Sequence, residues 1–159
     1  MYVDPNGPYS YPYSSYIPHS GNYYALLGTG GSLGYLFQTF TDPKPGEKLT
    51  ISFYLASDGS SPNEFQVTFN GVTLYDQTNI PATGASAPYP YEHLTFNVTS
   101  QSSNTLQFGE RDDPGALALD DVSVNPLTSA VPEPSTLTLL GIGAVCSLGY
   151  GWRRRRQNA

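Results

Sequence analysis

The chain has 159 residues and a mass of 17.2 kDa, enough for one domain with a modest core. Charged residues make up 13%, about half the usual share, while Gly (16), Pro (14) and Tyr (13) are abundant. This mixture excludes a helical bundle or coiled coil and fits an all-β domain with uncharged polar loops; the net charge of −6 and pI near 4.6 exclude a nucleic-acid binder.

The charge is unevenly placed. Arg153, Arg154, Arg155 and Arg156 supply four of the seven positive charges. Residues 1–130 hold three positive and twelve negative side chains, a net of −9. The single cysteine, Cys146, excludes an intramolecular disulfide and a Cys-based zinc site. It lies in an apolar run and reads as a small hydrophobe.

Residues 1–20 interleave Tyr2, Tyr9, Tyr11, Tyr13 and Tyr16 with Pro5, Pro8, Pro12 and Pro18. No apolar period survives there, which predicts an extended or disordered arm, the other reading being a Tyr-based contact region. The first residues also lack the basic and apolar regions of a secretory leader, which read alone predicts a cytoplasmic protein.

Residues 21–125 read as about eight short strands between turn signals. The predicted strands are Tyr23–Leu27, Gly34–Phe40, Lys48–Ala56, Phe65–Phe69, a run from Val72, Leu94–Val98, one around Leu106 and Phe108, and Leu117–Val124. Leu49, Ile51, Phe53 and Leu55 share one face of the third strand, while Thr50, Ser52 and Tyr54 share the other. Asn70-Gly71 between two alternating runs predicts a type I′ hairpin. The expected fold is an antiparallel β-sandwich or jelly roll.

Residues 126–130 form a linker. The tail, 131–159, begins with Val131, Pro132, Glu133, Pro134, Ser135 and Thr136. An uncharged stretch from Leu137 to Trp152 follows, then the four arginines. As a helix that stretch spans about 24 Å, short of a roughly 30 Å hydrocarbon core unless Trp152 and the arginine stems extend it at the interface. The reading is a single transmembrane helix. The arginines keep its end cytoplasmic, with residues 1–130 on the far side.

Pro-Glu-Pro, an apolar span and an Arg cluster, in that order, resemble the PEP-CTERM sorting signal of exported proteins in Gram-negative bacteria that make exopolysaccharide. The resemblance implies recognition by an exosortase, a membrane transpeptidase. It implies processing near Pro132–Pro134 and transfer to the cell surface or extracellular matrix, as in a biofilm. Glu133 would be a recognition residue. The segments Pro18–Tyr24, Leu36–Gln38, Leu49–Phe53, Phe65–Gly71 and Leu119–Val124 resemble PEP-CTERM ectodomains, which are similar to the galactose-binding-like jelly roll of carbohydrate-binding modules. Against that pattern the chain lacks a leader and an opening strand, so the expectation is either a translation start upstream of Met1 or a truncated gene product.

Asp120 and Asp121 are adjacent on the last predicted strand and are expected on opposite faces. The resemblance implies a structural Ca²⁺ ligand at Asp120, with carbonyls near Ser20–Asn22 completing the shell. The other reading is a carboxylate bonded to backbone amides. Tyr54, Tyr75, Tyr89 and Tyr91 are candidate stacking rings for sugars, against the alternative of half-buried packing. Glu110, Arg111, Asp112 and Asp113 read as a solvated turn with a local ion pair. His19 and His93 are isolated in sequence, with no metal-ligand spacing.

No nucleophile motif or phosphate loop appears. The expected function is therefore a non-enzymatic matrix or surface protein with a structural, adhesive or glycan-binding role. The alternatives are a glycan hydrolase or lyase, and an unexported remnant.

Overall fold

Strict alternation builds the centre of the molecule. Leu49, Ile51, Phe53 and Leu55 are buried along one side of a ten-residue strand, Lys48–Ser57, and the residues between them face outward. The structure is a computed structural model describing residues 2–3 and 16–127, so the predicted membrane helix and sorting tail lie outside the described residues.

The strands are β1 (Tyr2–Val3), β2 (Ala25–Leu27), β3 (Gly34–Thr41), β4 (Lys48–Ser57), β5 (Asn63–Phe69), β6 (Val72–Thr78), β7 (Glu92–Thr99), β8 (Ser103–Asp112) and β9 (Leu117–Pro126). The eight strands expected between residues 21 and 125 correspond to β2–β9. No helix occurs among the described residues. One sheet has the order β1-β2-β9-β4-β7, the other β3-β8-β5-β6, and every pairing is antiparallel. Asn70 and Gly71 both take positive φ, 51° and 78°, as a type I′ turn between β5 and β6 requires. The last strand is tied down to its end, where the Leu127 amide donates to the Lys48 carbonyl at 2.7 Å.

The sheets close on an aromatic cluster. Phe53 of β4 is fully buried and meets Phe65, Phe96 and Phe108 at ring-centroid distances of 6.0, 6.0 and 5.3 Å. Leu27, Ile51, Leu55, Val67, Leu117 and Leu119 fill the space around it.

A second, smaller core lies apart from this cluster, where Ala56, Ala116 and Ala118 pack with the fully buried Tyr16. These small side chains leave room for the Tyr16 ring, whose hydroxyl donates to the Ala116 carbonyl. Residue 16, inside the arm expected over residues 1–20, is therefore part of the packed body.

Phe53→Ala removes the ring shared by both sheets. It should lower unfolding free energy by about 3–5 kcal/mol in urea titrations with an unchanged m-value.

Candidate functional site

Two faces of the sandwich are rich in aromatic side chains, and they are built differently. On the five-stranded sheet, Tyr54 of β4 pairs in register with His93 of β7 and with Asp120 of β9. The His93 ring stacks on Tyr54 at 4.5 Å and 14°, and His19 stacks on it at 3.6 Å and 19°. Two imidazoles cannot share one face of a phenol ring at these distances, so Tyr54 is held between them. Tyr91 meets His19 edge-on at 5.7 Å, Tyr89 tilts against Tyr16 at 5.9 Å, and Ser52 Oγ lies 2.8 Å from His93 Nε2. Burial pushes the Tyr91 phenol above its ordinary range, and its buried hydroxyl has no hydrogen-bond partner.

Three of the four candidate stacking tyrosines, Tyr54, Tyr89 and Tyr91, are thus near one another, with their rings engaged by other rings of the chain. The fourth, Tyr75, is on β6 of the other sheet. It packs edge-on against Phe65 and Phe96 at 6.3 Å each, beside the main core. The two histidines, unremarkable in the linear sequence, are joined through Tyr54 by the β4–β7 register and the return of residues 16–20.

Asp120 and Asp121 do not point to opposite faces. In the β4–β9 ladder Ser52 pairs with Ser123 and Tyr54 with Asp120, so Asp121 and Val122 together stand opposite Phe53. Asp121 absorbs this bulge with a φ of 49°. Both carboxylates consequently reach residues 19 and 20. Asp120 Oδ2 accepts the amides of His19 (2.8 Å) and Ser20 (3.4 Å), and its Oδ1 accepts the Asp121 amide (2.7 Å). Asp121 Oδ1 accepts the Ser20 hydroxyl at 2.7 Å, and its Oδ2 lies 2.8 Å from His19 Nδ1.

The Ser20 hydroxyl first and His19 second hold the Asp121 carboxyl below the usual range. The groups directed at Asp120 are N–H donors rather than carbonyl oxygens, a donor set that does not fit a Ca²⁺ shell. Among the described residues no group of three or more His, Cys, Asp or Glu is placed to hold a metal.

The acidic run 110–113 is not a solvated turn, because β8 continues to Asp112. Alternation turns Glu110 and Asp112 inward, at 7% and 1% exposure. Glu110 accepts from the Thr29 amide at 3.1 Å and from the Thr29 hydroxyl. The expected ion pair forms between Arg111 and Asp113.

The outer face of the four-stranded sheet is open. Tyr35 and Phe37, two apart on the edge strand β3, are 56% and 63% exposed. Tyr35 pairs with Gly109, which pairs in turn with Gln66, and Gln66 with Asp76. A Cβ at Gly109 would stand only 3.1 and 3.4 Å from Tyr35 Cε1 and Cδ1. The glycine thereby lets the ring lean across β8. Phe37 continues along its row to Gln107 and Thr68. Neighbouring polar groups are linked as well, Gln66 Nε2 to Asp76 Oδ2 at 3.0 Å and Thr39 Oγ1 to Thr105 Oγ1 at 2.9 Å. The alternation in Gly34–Phe40 carries this signal: Leu36 and Phe40 pack inward, leaving Tyr35 and Phe37 on the outer side.

Residues 130–156 match the PEP-CTERM protein-sorting motif. No curated protein matches the chain in sequence. Among solved structures, the EclA C-terminal domain, a sugar-binding protein, is 12% identical, with a TM-score of 0.52 over 69% of this chain and 82% of that one. The CBM35 of Cellvibrio japonicus Abf62 is 19% identical, with a TM-score of 0.52 over 77% of this chain and 85% of its own. These likenesses bear out the jelly-roll fold, and the motif match bears out the sorting signal.

A carboxyl held low in the folded chain adds stability that is complete above its unfolded pKa of about 3.9 and is lost as pH falls through its folded value. Asp121→Asn should therefore lower stability by roughly 0.5–1 kcal/mol at pH 6, and the gap from wild type should close near pH 2–3. Urea titrations across that range check it.

Proposed function

We propose that this protein is exported and delivered by its C-terminal tail to the surface polysaccharide layer. There it holds neutral glycan on the outer face of its four-stranded sheet. The observation that carries the reading is the Tyr35 ring leaning over Gly109 beside the exposed Phe37. A pair of exposed rings presents apolar faces on which the C–H face of a sugar can stack, and the amides of Gln66 and Gln107 lie in the same rows to bond hydroxyls. Exposed large aromatics flanked by uncharged hydrogen-bonding groups are what a polar polymer with apolar ring faces requires. The net charge of −9 over residues 1–130 opposes polyanionic chains, so the ligand is a neutral exopolysaccharide.

The sorting motif supports the rest of the reading. Val131–Thr136 is the recognition segment for an exosortase. Residues 137–152 cross the inner membrane, and Arg153–Arg156 hold the C-terminus in the cytoplasm until processing releases the body for the cell surface or matrix. The role is structural or adhesive rather than catalytic. A hydrolase needs a reachable carboxylate pair free to exchange protons; Asp112 is 1% exposed, and the outward pair Asp120 and Asp121 is engaged by the amides and side chains of His19 and Ser20.

Affinity electrophoresis of the full chain through neutral and anionic polysaccharides tests the glycan reading. Retardation by a neutral polymer, weakened roughly tenfold in Tyr35→Ala and again in Phe37→Ala, is expected, with Tyr54→Ala close to wild type. Retardation that survives in the double variant would overturn it. For sorting, Glu133→Ala should accumulate as unprocessed chain in a cell that carries an exosortase.

A further inference from the structure

The edges of the two sheets are not equally protected. A free edge offers unpaired N–H and C=O groups to another strand, and proteins blunt it with brevity, charge, proline or a bulge. β1 has two residues. β7 opens with Glu92 and His93. β6 carries Asp76, and it is bulged: Val67 stands opposite Tyr75 but Thr68 opposite Thr73, so β6 holds an extra residue. β3 has none of these devices. It runs for eight residues, Gly34–Thr41, without a charge or a proline, and it pairs with β8 in unbroken register. Among the described residues no strand lies on its other side.

The ladder shows which groups face that open side. Asp42 lies opposite Ser102 in the continued register, and its amide donates to the Ser102 carbonyl at 3.3 Å. On the far side of β8 the Thr105 carbonyl accepts the Asn70 amide at 2.9 Å, so the odd-numbered residues of β8 bond β5. Hydrogen-bonded and non-hydrogen-bonded pairs alternate along an antiparallel ladder. The even-numbered residues of β3 therefore bond β8, and Tyr35, Phe37, Thr39 and Thr41 direct their N–H and C=O groups away from it. Gln38, the one polar side chain in the inward row of Leu36 and Phe40, sits mid-strand and is exposed.

We propose that β3 pairs antiparallel with β3 of a second copy of this chain, about a two-fold axis at Gln38. This register matches every outward group. Tyr35 faces Thr41 of the second copy, Phe37 faces Thr39, and the reverse pairs follow by symmetry. It joins two four-stranded sheets into one continuous sheet. The two Gln38 residues meet at the axis as a non-hydrogen-bonded pair, about 4.5 Å apart at Cα, where each amide can both donate and accept. The two Phe37 rings become diagonal neighbours on the outer face. Charge favours this edge over other surfaces. Each body carries a net of −9 over residues 1–130, so two copies repel, and along β3 no like charges are brought face to face. The pairing engages backbone groups and leaves the outer faces of Tyr35 and Phe37 open, so it is independent of the glycan reading.

The test is sedimentation of the full chain in detergent, at concentrations up to about 200 μM. A reversible dimer is expected, and raising salt from about 0.05 to about 0.5 M should tighten it by screening the repulsion between the bodies. Thr39→Pro deletes one outward amide in each chain and spares the bonds to β8, while Gln38→Lys sets two like charges at the axis. Each should weaken association roughly tenfold or more and keep the near-ultraviolet circular dichroism of the wild type. In a Cys146→Ser background, Gln38→Cys should oxidise in air to a disulfide-linked dimer, because the axis brings the two Cα atoms within disulfide range. Val72→Cys, at a position 64% exposed on the bulged edge strand β6, should not cross-link. A chain that stays monomeric throughout, a dimer indifferent to both β3 variants, or cross-linking at residue 72 as fast as at residue 38 would overturn the proposal.

Discussion

The contact of Phe53 with Phe65, Phe96 and Phe108 is the constraint on which the rest depends, because it is where the sheets meet. The same position organises the opposite surface. Phe53 is the single β4 residue facing two residues of β9, and the extra residue turns Asp121 into the left-handed region. The bulge thus couples an inward aromatic to an outward pair of carboxylates. Those carboxylates fasten residues 19 and 20, and this places His19 against Tyr54. Core, bulge and clasp form one chain of dependence, each link fixing the geometry of the next.

Few charges and many aromatics leave the fold to solve its surface with rings and neutral polar groups. The rings serve three ends. Phenylalanines fill the interior. Tyr16, Tyr54, Tyr89 and Tyr91 engage one another and the two histidines, shielding one part of the five-stranded sheet. Tyr35 and Phe37 remain open on the four-stranded sheet. Closing a sheet face with its own side chains ends its capacity to bind a flat ligand, so the open face is where recognition has room. The scarcity of basic residues has a parallel effect on the acids, since too few cations exist to pair with each one.

The strands were legible because a half-buried strand writes its burial into every second residue. Lys48–Ala56 and Phe65–Phe69 show this clearly, and Asn70-Gly71 declares its turn by backbone preference alone. The sorting motif was legible for a different reason, being recognised as a linear string. What stayed hidden depends on topology. Tyr54 and Tyr35 look alike in sequence, and only the return of residues 16–20 across one sheet distinguishes a covered ring from an open one. Asp120 and Asp121 were misassigned because alternation cannot foresee a bulge. Glu110 and Asp112 look like turn residues, yet β8 runs far enough to carry both inside. His19 and His93 gave no signal because the contact between them is made by a third residue.

The amide of Leu127 gives the end of β9 a mechanical meaning. Force applied through the residues that follow enters the fold at β9, which is paired on one side with β2 and on the other with β4. Antiparallel ladder bonds lie perpendicular to their strands, so a pull along β9 loads many of them together in shear. A pull across the sheet would open them one after another. Rupture under load is governed by the unfolding rate rather than by equilibrium stability, and a strand paired on both sides is the hardest to withdraw. A tether attached after residue 127 therefore grips the body by a strand paired along most of its length with β4 and, over Leu117–Leu119, with β2 as well.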